Sequence, residues 1–367
     1  MPTPQSMCLL LNRVPGLTST RLTTLRQAFG SFEALAHADV PQLQQAGLSP
    51  SMAARVVDGL RDEAWAEQEL KRAGRSGITV LTWPDAAYPS VLRTIPDPPA
   101  VLYLRGALAE PDAIAVAFVG SRYASLYGLQ SAQRLAAAAA EQGITVVSGL
   151  ARGIDAAAHE GALKAGGRTI AVLGSGLSNL YPPEHEPLAE RIAQAGAVVS
   201  EYPLQTEPFP SNFPRRNRLI SGLSLGVVVV EAAARSGALI TADCALEQGR
   251  DVFAVPGPMT SRTSQGTHGL LKQGARLVTS VEDLLEELHL TSRPVLATMS
   301  PQRQVLPGPI SASQQRLLAC LSQRQPEPLE AVIARSGLSR ADVMVALLEL
   351  QVRQLIRQLP GQRFVRC

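Results

Sequence analysis

Lysine is nearly missing from this chain. Only Lys71, Lys164 and Lys272 occur, and each follows a leucine. No Gly-Lys pair exists, so a Walker-type phosphate loop is excluded. The remaining cations are arginines, an imbalance that GC-rich codon usage produces. Cysteine is sparse too. Cys8, Cys244, Cys320 and Cys367 are scattered, with no Cys-x-x-Cys pair. Neither a zinc site nor a disulfide framework is indicated, and a reducing cytoplasm fits. No apolar run approaches the roughly 20 residues that span a bilayer, so no membrane partner is expected. The longest run, Leu225–Val230 with Ala232–Ala234 beyond Glu231, suits a buried strand. The first residues lack the basic start and long apolar stretch of a signal peptide. Histidine is also scarce, and no metal-ligand spacing or G-x-S-x-G elbow occurs. No metal, cofactor or catalytic residue is expected. Charge of one sign is lacking as well: 34 basic against 31 acidic residues give +3 on 367 residues. That argues against binding nucleic acid by bulk positive charge, though not against a local basic site.

What is present divides the chain. At roughly 150 residues per domain, two or three domains are expected. Residues 1–72 read as a small helical domain. A helix is expected over Thr18–Phe29, stopped by Gly30, and another over Phe32–Ala38 capped by Ser31. Ser49 or Ser51 is placed to cap a third, running on to about Arg72. Val14-Pro15-Gly16-Leu17 resembles the turn of a helix-hairpin-helix unit, whose backbone N–H groups can hold a phosphate. Thr18 stands where the full motif has a second glycine, so a purely structural module remains the other reading. Residues 291–310 contain no acidic residue and several prolines, and read as a linker. Residues 311–367 show helical patterns at Gln314–Leu321, Leu329–Ser336 and Arg340–Leu350. Two short strands follow, Ile356–Leu359 and Arg363–Val365, which is the winged-helix plan.

The middle, residues 73–290, alternates apolar strands with helices. Strands are expected at Ala113–Val119, Ile144–Ser148, Thr169–Leu173, Ala197–Ser200, Val227–Val230 and Val252–Val255. Continuous apolar strands separated by helices imply a mainly parallel sheet covered on both faces. The fold class is therefore α/β, with a doubly wound, Rossmann-like sheet. Such sheets bind ligands at the carboxyl ends of their strands. Three loops fall there: Gly120-Ser121-Arg122, Ser148–Asp155 with Arg152, and Gly174-Ser175-Gly176. Gly174–Asn179 lacks the third glycine of a dinucleotide fingerprint. The loops make a row suited to anions, since Gly lets backbone approach and Arg can fork onto phosphate.

The most informative stretch is Pro208–Arg218: its two Phe are expected on a proline-stiffened loop, and a helix is expected over Asn217–Leu223. The stretch holds Phe209, Phe213, Arg215, Arg216, Asn217 and Arg218 and no acidic residue. Guanidinium groups neutralise phosphates and aromatic faces stack on unpaired bases, so the combination favours single strands over duplex. Asp155, Glu201 and Glu231 are candidates for structural pairing rather than acid–base work. His159 reads as a packed residue. The charge is uneven: residues 71–290 carry 19 basic and 20 acidic residues, residues 311–367 8 and 4.

These motifs run in a familiar order. Val119–Arg122, Ser148–Asp155 with Ala158-His159, Thr169–Gly174, Ser200–Pro203, Phe213–Leu223, Glu231-Ala232, Ser236–Ala242 and Gly249–Gly257 together resemble the DNA-processing protein A (DprA, or Smf) family, over roughly residues 75–285. The resemblance implies a non-enzymatic protein of natural transformation and competence. It would bind and protect incoming single-stranded DNA, help displace single-strand-binding protein, and load RecA recombinase. It also implies a homodimer, and a DNA pocket containing Gly120, Ser121, Arg122 and the Arg215–Arg218 segment, with Arg168 at an often basic position. Two rival readings are an enzyme acting on nucleotide derivatives and a scaffold without DNA affinity. The enzyme's Pro-Gly-Gly-x-Gly-Thr run is absent.

Overall fold

The computed structural model describes residues 3–290, 311–321, 327–352, 355–359 and 363–366. The expected linker lies outside them. The chain forms two compact units, Met1–Pro294 and Val295–Cys367.

The first unit opens with six helices: α1 (Pro4–Arg13), α2 (Ser19–Phe29), α3 (Phe32–Ala36), α4 (Val40–Gln45), α5 (Pro50–Leu60) and α6 (Glu63–Arg75). Hydroxyl and carboxylate caps set their starts. Thr18 accepts from the N–H of Arg21, Ser49 from Met52 and Asp62 from Trp65. The single helix expected from Ser49 to Arg72 is in fact α5 and α6, because Asp62 caps a new helix after Leu60. The boundary expected at residue 72 falls inside α6. Packing runs across it: Leu9, Leu10 and Leu11 share one core with Tyr103, Ala171, Leu173 and Val198 of the sheet.

The sheet follows. Its elements in order are β1 (Ile78–Thr82), α7 (Ser90–Arg93), β2 (Val101–Gly106), β3 (Ala115–Val119), α8 (Leu126–Glu141), β4 (Thr145–Ser148), α9 (Ile154–Lys164) and β5 (Thr169–Val172). Then come α10 (Glu186–Ala195), β6 (Ala197–Ser200), α11 (Asn212–Gly222), β7 (Gly226–Val229), α12 (Gly237–Glu247), β8 (Asp251–Ala254), α13 (Gln265–Lys272), β9 (Arg276–Leu277) and α14 (Val281–Glu287). The nine strands lie in the order β1-β2-β6-β5-β4-β3-β7-β8-β9. The seven from β6 to β9 are parallel; β2 pairs antiparallel with both β1 and β6. Alternate residues of β3 face opposite cores. Ala115, Ala117 and Val119 pack with α11 and α12, while Val116 and Phe118 pack with α8 and α9. From β3 the chain winds one way to β6, then returns to the other side of β3 with β7. The order therefore reverses at β3, and the loops after β3 and β7 diverge there.

The second unit holds α15 (Ala312–Cys320), β10 (Glu327–Pro328), α16 (Leu329–Ser336), α17 (Arg340–Val352), β11 (Ile356–Leu359) and β12 (Arg363–Arg366). The strands pair antiparallel in the order β10-β12-β11. Leu317, Val332, Val343, Leu347, Leu350, Ile356 and Phe364 form its core. This is a winged helix.

Candidate nucleic-acid interface

Where the strand order reverses, an open cleft of about 610 Å³ lies beyond the carboxyl ends of the strands. Backbone hydrogen bonds join its loops. The Ser121 N–H donates to the Glu231 carbonyl at 2.8 Å, and the Ile154 N–H donates to the Ser121 carbonyl at 3.2 Å. Gly153 makes this approach possible. Its φ is 75°, and a Cβ there would stand 2.2 Å from the Ser121 oxygen. The buried Glu231 carboxylate accepts from the N–H and hydroxyl of Ser125, at 2.8 and 2.5 Å, and from the Thr263 hydroxyl at 3.1 Å. It thus fixes the start of α8 and pairs with no arginine.

Three guanidinium groups line the cleft: Arg122, Arg216 and Arg235. Arg122 is exposed, with its guanidinium 5.2 Å from the centre of the Phe213 ring. Arg235 is exposed on the loop after β7. Arg216 is buried; its Nη1 donates to the carbonyls of Gly149, at 2.9 Å, and Val172. Its Nε has no partner among the described residues. Burial pulls the Arg216 pKa down to about 10, with nearby Asp155 opposing the shift. Asp155 is the one carboxylate among the lining side chains. Burial pushes it up to about 6, against the pull of Arg216 and the N–H groups of Ala151 and Gly149. Those N–H groups donate to its Oδ2 at 3.4 and 3.1 Å, so Asp155 braces the loop before α9. Gly149 admits this arrangement. A Cβ there would lie 2.7 Å from both Arg216 and Asp155. Ser236, Gly237 and Ala238, where α12 begins, also line the cleft and add the positive end of a helix dipole.

Aromatic rings frame the site. Phe213 is half-buried over Gly174, with Tyr181 at 5.8 Å between ring centres. Tyr123, on the lining, is 90% exposed; Phe209, 58% exposed, is not on the lining itself but lies between Pro208 and Pro210, which are. His159 lies away from this surface, fully buried, its Nδ1 at 2.7 Å from the Thr169 hydroxyl.

The structure brings Gly120, Ser121, Arg122, Phe213, Arg216 and Asn217 together on the cleft. Other expected residues stand elsewhere. The helix expected from Asn217 already begins at Asn212, so the arginine side chains fan out around α11. Arg218 is thereby turned inward. Its guanidinium meets Glu201 at 2.6 Å, Asp97 at 2.6 Å and Ser19 at 2.9 Å, and all of it is engaged within the fold. Burial works against this charge, and the carboxylates of Glu201 and Asp97 outweigh it, holding the proton more firmly than usual. Arg168 stands at the opposite, amino ends of the strands. It forks onto Asp112, with both contacts at 2.8 Å, and bonds the carbonyls of Ala107 and Ala195. Arg152 is on the rim of an adjoining recess, paired with Glu184 at 2.5 Å in solvent. Arg215 is exposed and points toward Ser19 of α2.

A family model described as DNA recombination-mediator protein A matches residues 79–289. The chain belongs to that family. A SAM-like helix-hairpin-helix tandem matches residues 9–62, and a DprA winged helix domain matches 301–362. Protein Smf of Escherichia coli is 42% identical over 333 residues, covering 89% of this chain and 87% of that one. DNA processing protein DprA of Streptococcus pneumoniae is 46% identical over 205 residues, covering 56% of this chain and 72% of that one. The crystal structure of the pneumococcal protein superposes with a TM-score of 0.69 at 36% identity, over 78% of this chain and 99% of that one. A structure of DNA processing protein A from Helicobacter pylori, described for its single-stranded DNA binding mode, gives a TM-score of 0.52 at 30% identity. It covers 58% of this chain and 95% of that one.

In this family member Arg235, Tyr123 and Tyr181 also line the cleft, and no motif in the sequence marks them as site residues. Arg235 is an isolated charge in a loop. Only the pairing of β3 with β7 sets it opposite Arg122, and nothing local in the sequence signals that pairing.

Proposed function

We propose that the chain is a recombination mediator that grips single-stranded DNA in this cleft, acting by binding rather than by chemistry. The observation that carries the reading is the convergence of Arg122, Arg216 and Arg235 beside the start of α12, at the switch point of the sheet. Two of these guanidiniums are open to phosphates, and the exposed rings of Tyr123 and Phe209 offer faces to unpaired bases. The single-stranded DNA described for the Helicobacter pylori relative supports it. In this role the protein would protect incoming DNA during natural transformation, act alongside single-strand-binding protein, and load RecA recombinase. It would work as a homodimer in the cytoplasm.

Titration of single-stranded and duplex oligonucleotides over a salt series tests the reading. Tighter binding to single strands is expected. Equal binding to both, or none, overturns it. Replacing Arg122 and Arg235 together by Ala removes about two phosphate contacts and lowers the salt slope by about 1.4. An unchanged slope would remove the cleft from consideration. RecA assembly on strands coated with single-strand-binding protein, with and without this chain, tests loading. Sizing chromatography tests the dimer.

A further inference from the structure

The first hairpin of the chain, Val14–Thr18, leads into α2, whose first residue, Ser19, meets α11. Ser19 Oγ accepts from Arg218 at 2.9 Å and lies 3.5 Å from Arg215 Nη2. Guanidinium groups from three elements border the turn and the first residue of α2. Arg21 of α2 donates to the Gly16 carbonyl at 3.4 Å. Arg55 of α5 comes to 3.9 Å from where a Gly16 side chain would begin. Arg215 of α11 reaches in through Ser19. All three are exposed, and no ion pair joins any of them to a carboxylate among the described residues. Like charges left unpaired around one turn favour an anion bound among them.

The second hairpin shows that the arginines are not required by the turn. Gly47-Leu48-Ser49 repeats the plan of Gly16-Leu17-Thr18: a glycine of positive φ (95° against 82°), a buried leucine and a hydroxyl cap. Nothing stands within 4 Å of the Cβ position at Gly47.

We propose that Arg21, Arg55 and Arg215 form a second phosphate seat, which receives the single strand as it leaves the cleft. Arg215 stands on α11 between Pro214 and Arg216, both of which line the cleft, but its own side chain turns toward Ser19, so the seat would flank the cleft across one helix. The inference rests on the single-strand reading and lengthens its track onto the N-terminal helices.

The test is a ladder of oligothymidylates from about 4 nucleotides upward, titrated against the full chain. The variants are Arg21→Ala/Arg55→Ala and a control, Arg61→Ala/Lys71→Ala. The control removes the same charge from two exposed carboxylate pairs. The short strands are expected to bind wild type and both variants alike. Beyond a threshold length, the Arg21/Arg55 variant is expected to fall about 10- to 30-fold behind at 0.1 M salt, with a salt slope smaller by about 1.4. The control is expected to track wild type. A loss equal at every length, a loss shared by the control, or a loss seen equally with duplex overturns the second seat and leaves the cleft standing. A wild-type chain that binds no strand of any length overturns both.

Discussion

Arg215, Arg216 and Arg218 lie within four positions and end in three environments: solvent, the cleft wall and a buried ion pair. A helix turns about 100° per residue, so neighbours on α11 cannot share a direction. The cluster was legible in the sequence as a basic, acid-free stretch. Its division was not, because Arg218 is claimed by Glu201 from the end of β6 and by Asp97, 121 positions away. The expectation that Glu201 pairs with an arginine agrees with this geometry. The difference is measurable. Arg218→Ala leaves Glu201, 2% exposed, without its counter-charge and is expected to cost about 3–5 kcal/mol in urea unfolding. Arg215→Ala breaks only a long contact at the surface and is expected to change stability by less than about 0.5 kcal/mol. Equal losses would show that Arg218 is not the structural member of the set.

Among elements, the buried strands were the most legible. Runs such as Ala115–Val119 and Gly226–Val229 are apolar throughout because both faces are covered. Helix starts near proline were less so. Pro210 and Pro214 suggest a loop up to Arg216 and a helix only from Asn217, yet α11 begins at Asn212 and holds Pro214 in its first turn, where no N–H is needed. Helix α1 went unread because its buried stripe, Met7–Leu11, is a continuous run without helical spacing. The loop before α9 offers a test at this scale. Gly153→Ala combines a strained φ with a clash against the Ser121 carbonyl, whereas Gly166→Ala, at φ 71°, meets open space. Each carries a strain cost of about 1 kcal/mol. The Gly153 variant is expected to lose more in thermal unfolding and to weaken oligonucleotide binding as well. Equal shifts would mean that the Ser121 contact does not shape the cleft.

At the scale of the molecule, the unit Met1–Pro294 is held together by more than chain connectivity. Asn12 donates to the Glu201 carbonyl at 2.8 Å, Glu69 accepts from the Leu204 N–H at 2.7 Å, and Ser19 meets Arg218. A fragment of residues 1–294 is therefore expected to unfold cooperatively and to bind single strands. A fragment of residues 73–294 is expected to aggregate or melt far lower, since it bares the sheet face that Leu9–Leu11 cover. Two fragments of matching stability would separate the helices from the core. Balanced charge over residues 71–290, 19 basic against 20 acidic, leaves little long-range attraction for a polyanion. The joined loops then have a kinetic consequence. Ser121, Ile154 and Glu231 are tied by their own backbone hydrogen bonds, so an arriving strand meets a finished surface. On the proposed reading, capture would then be a single bimolecular event with no slow opening step, and the arginines would govern how long the strand stays rather than how soon it arrives.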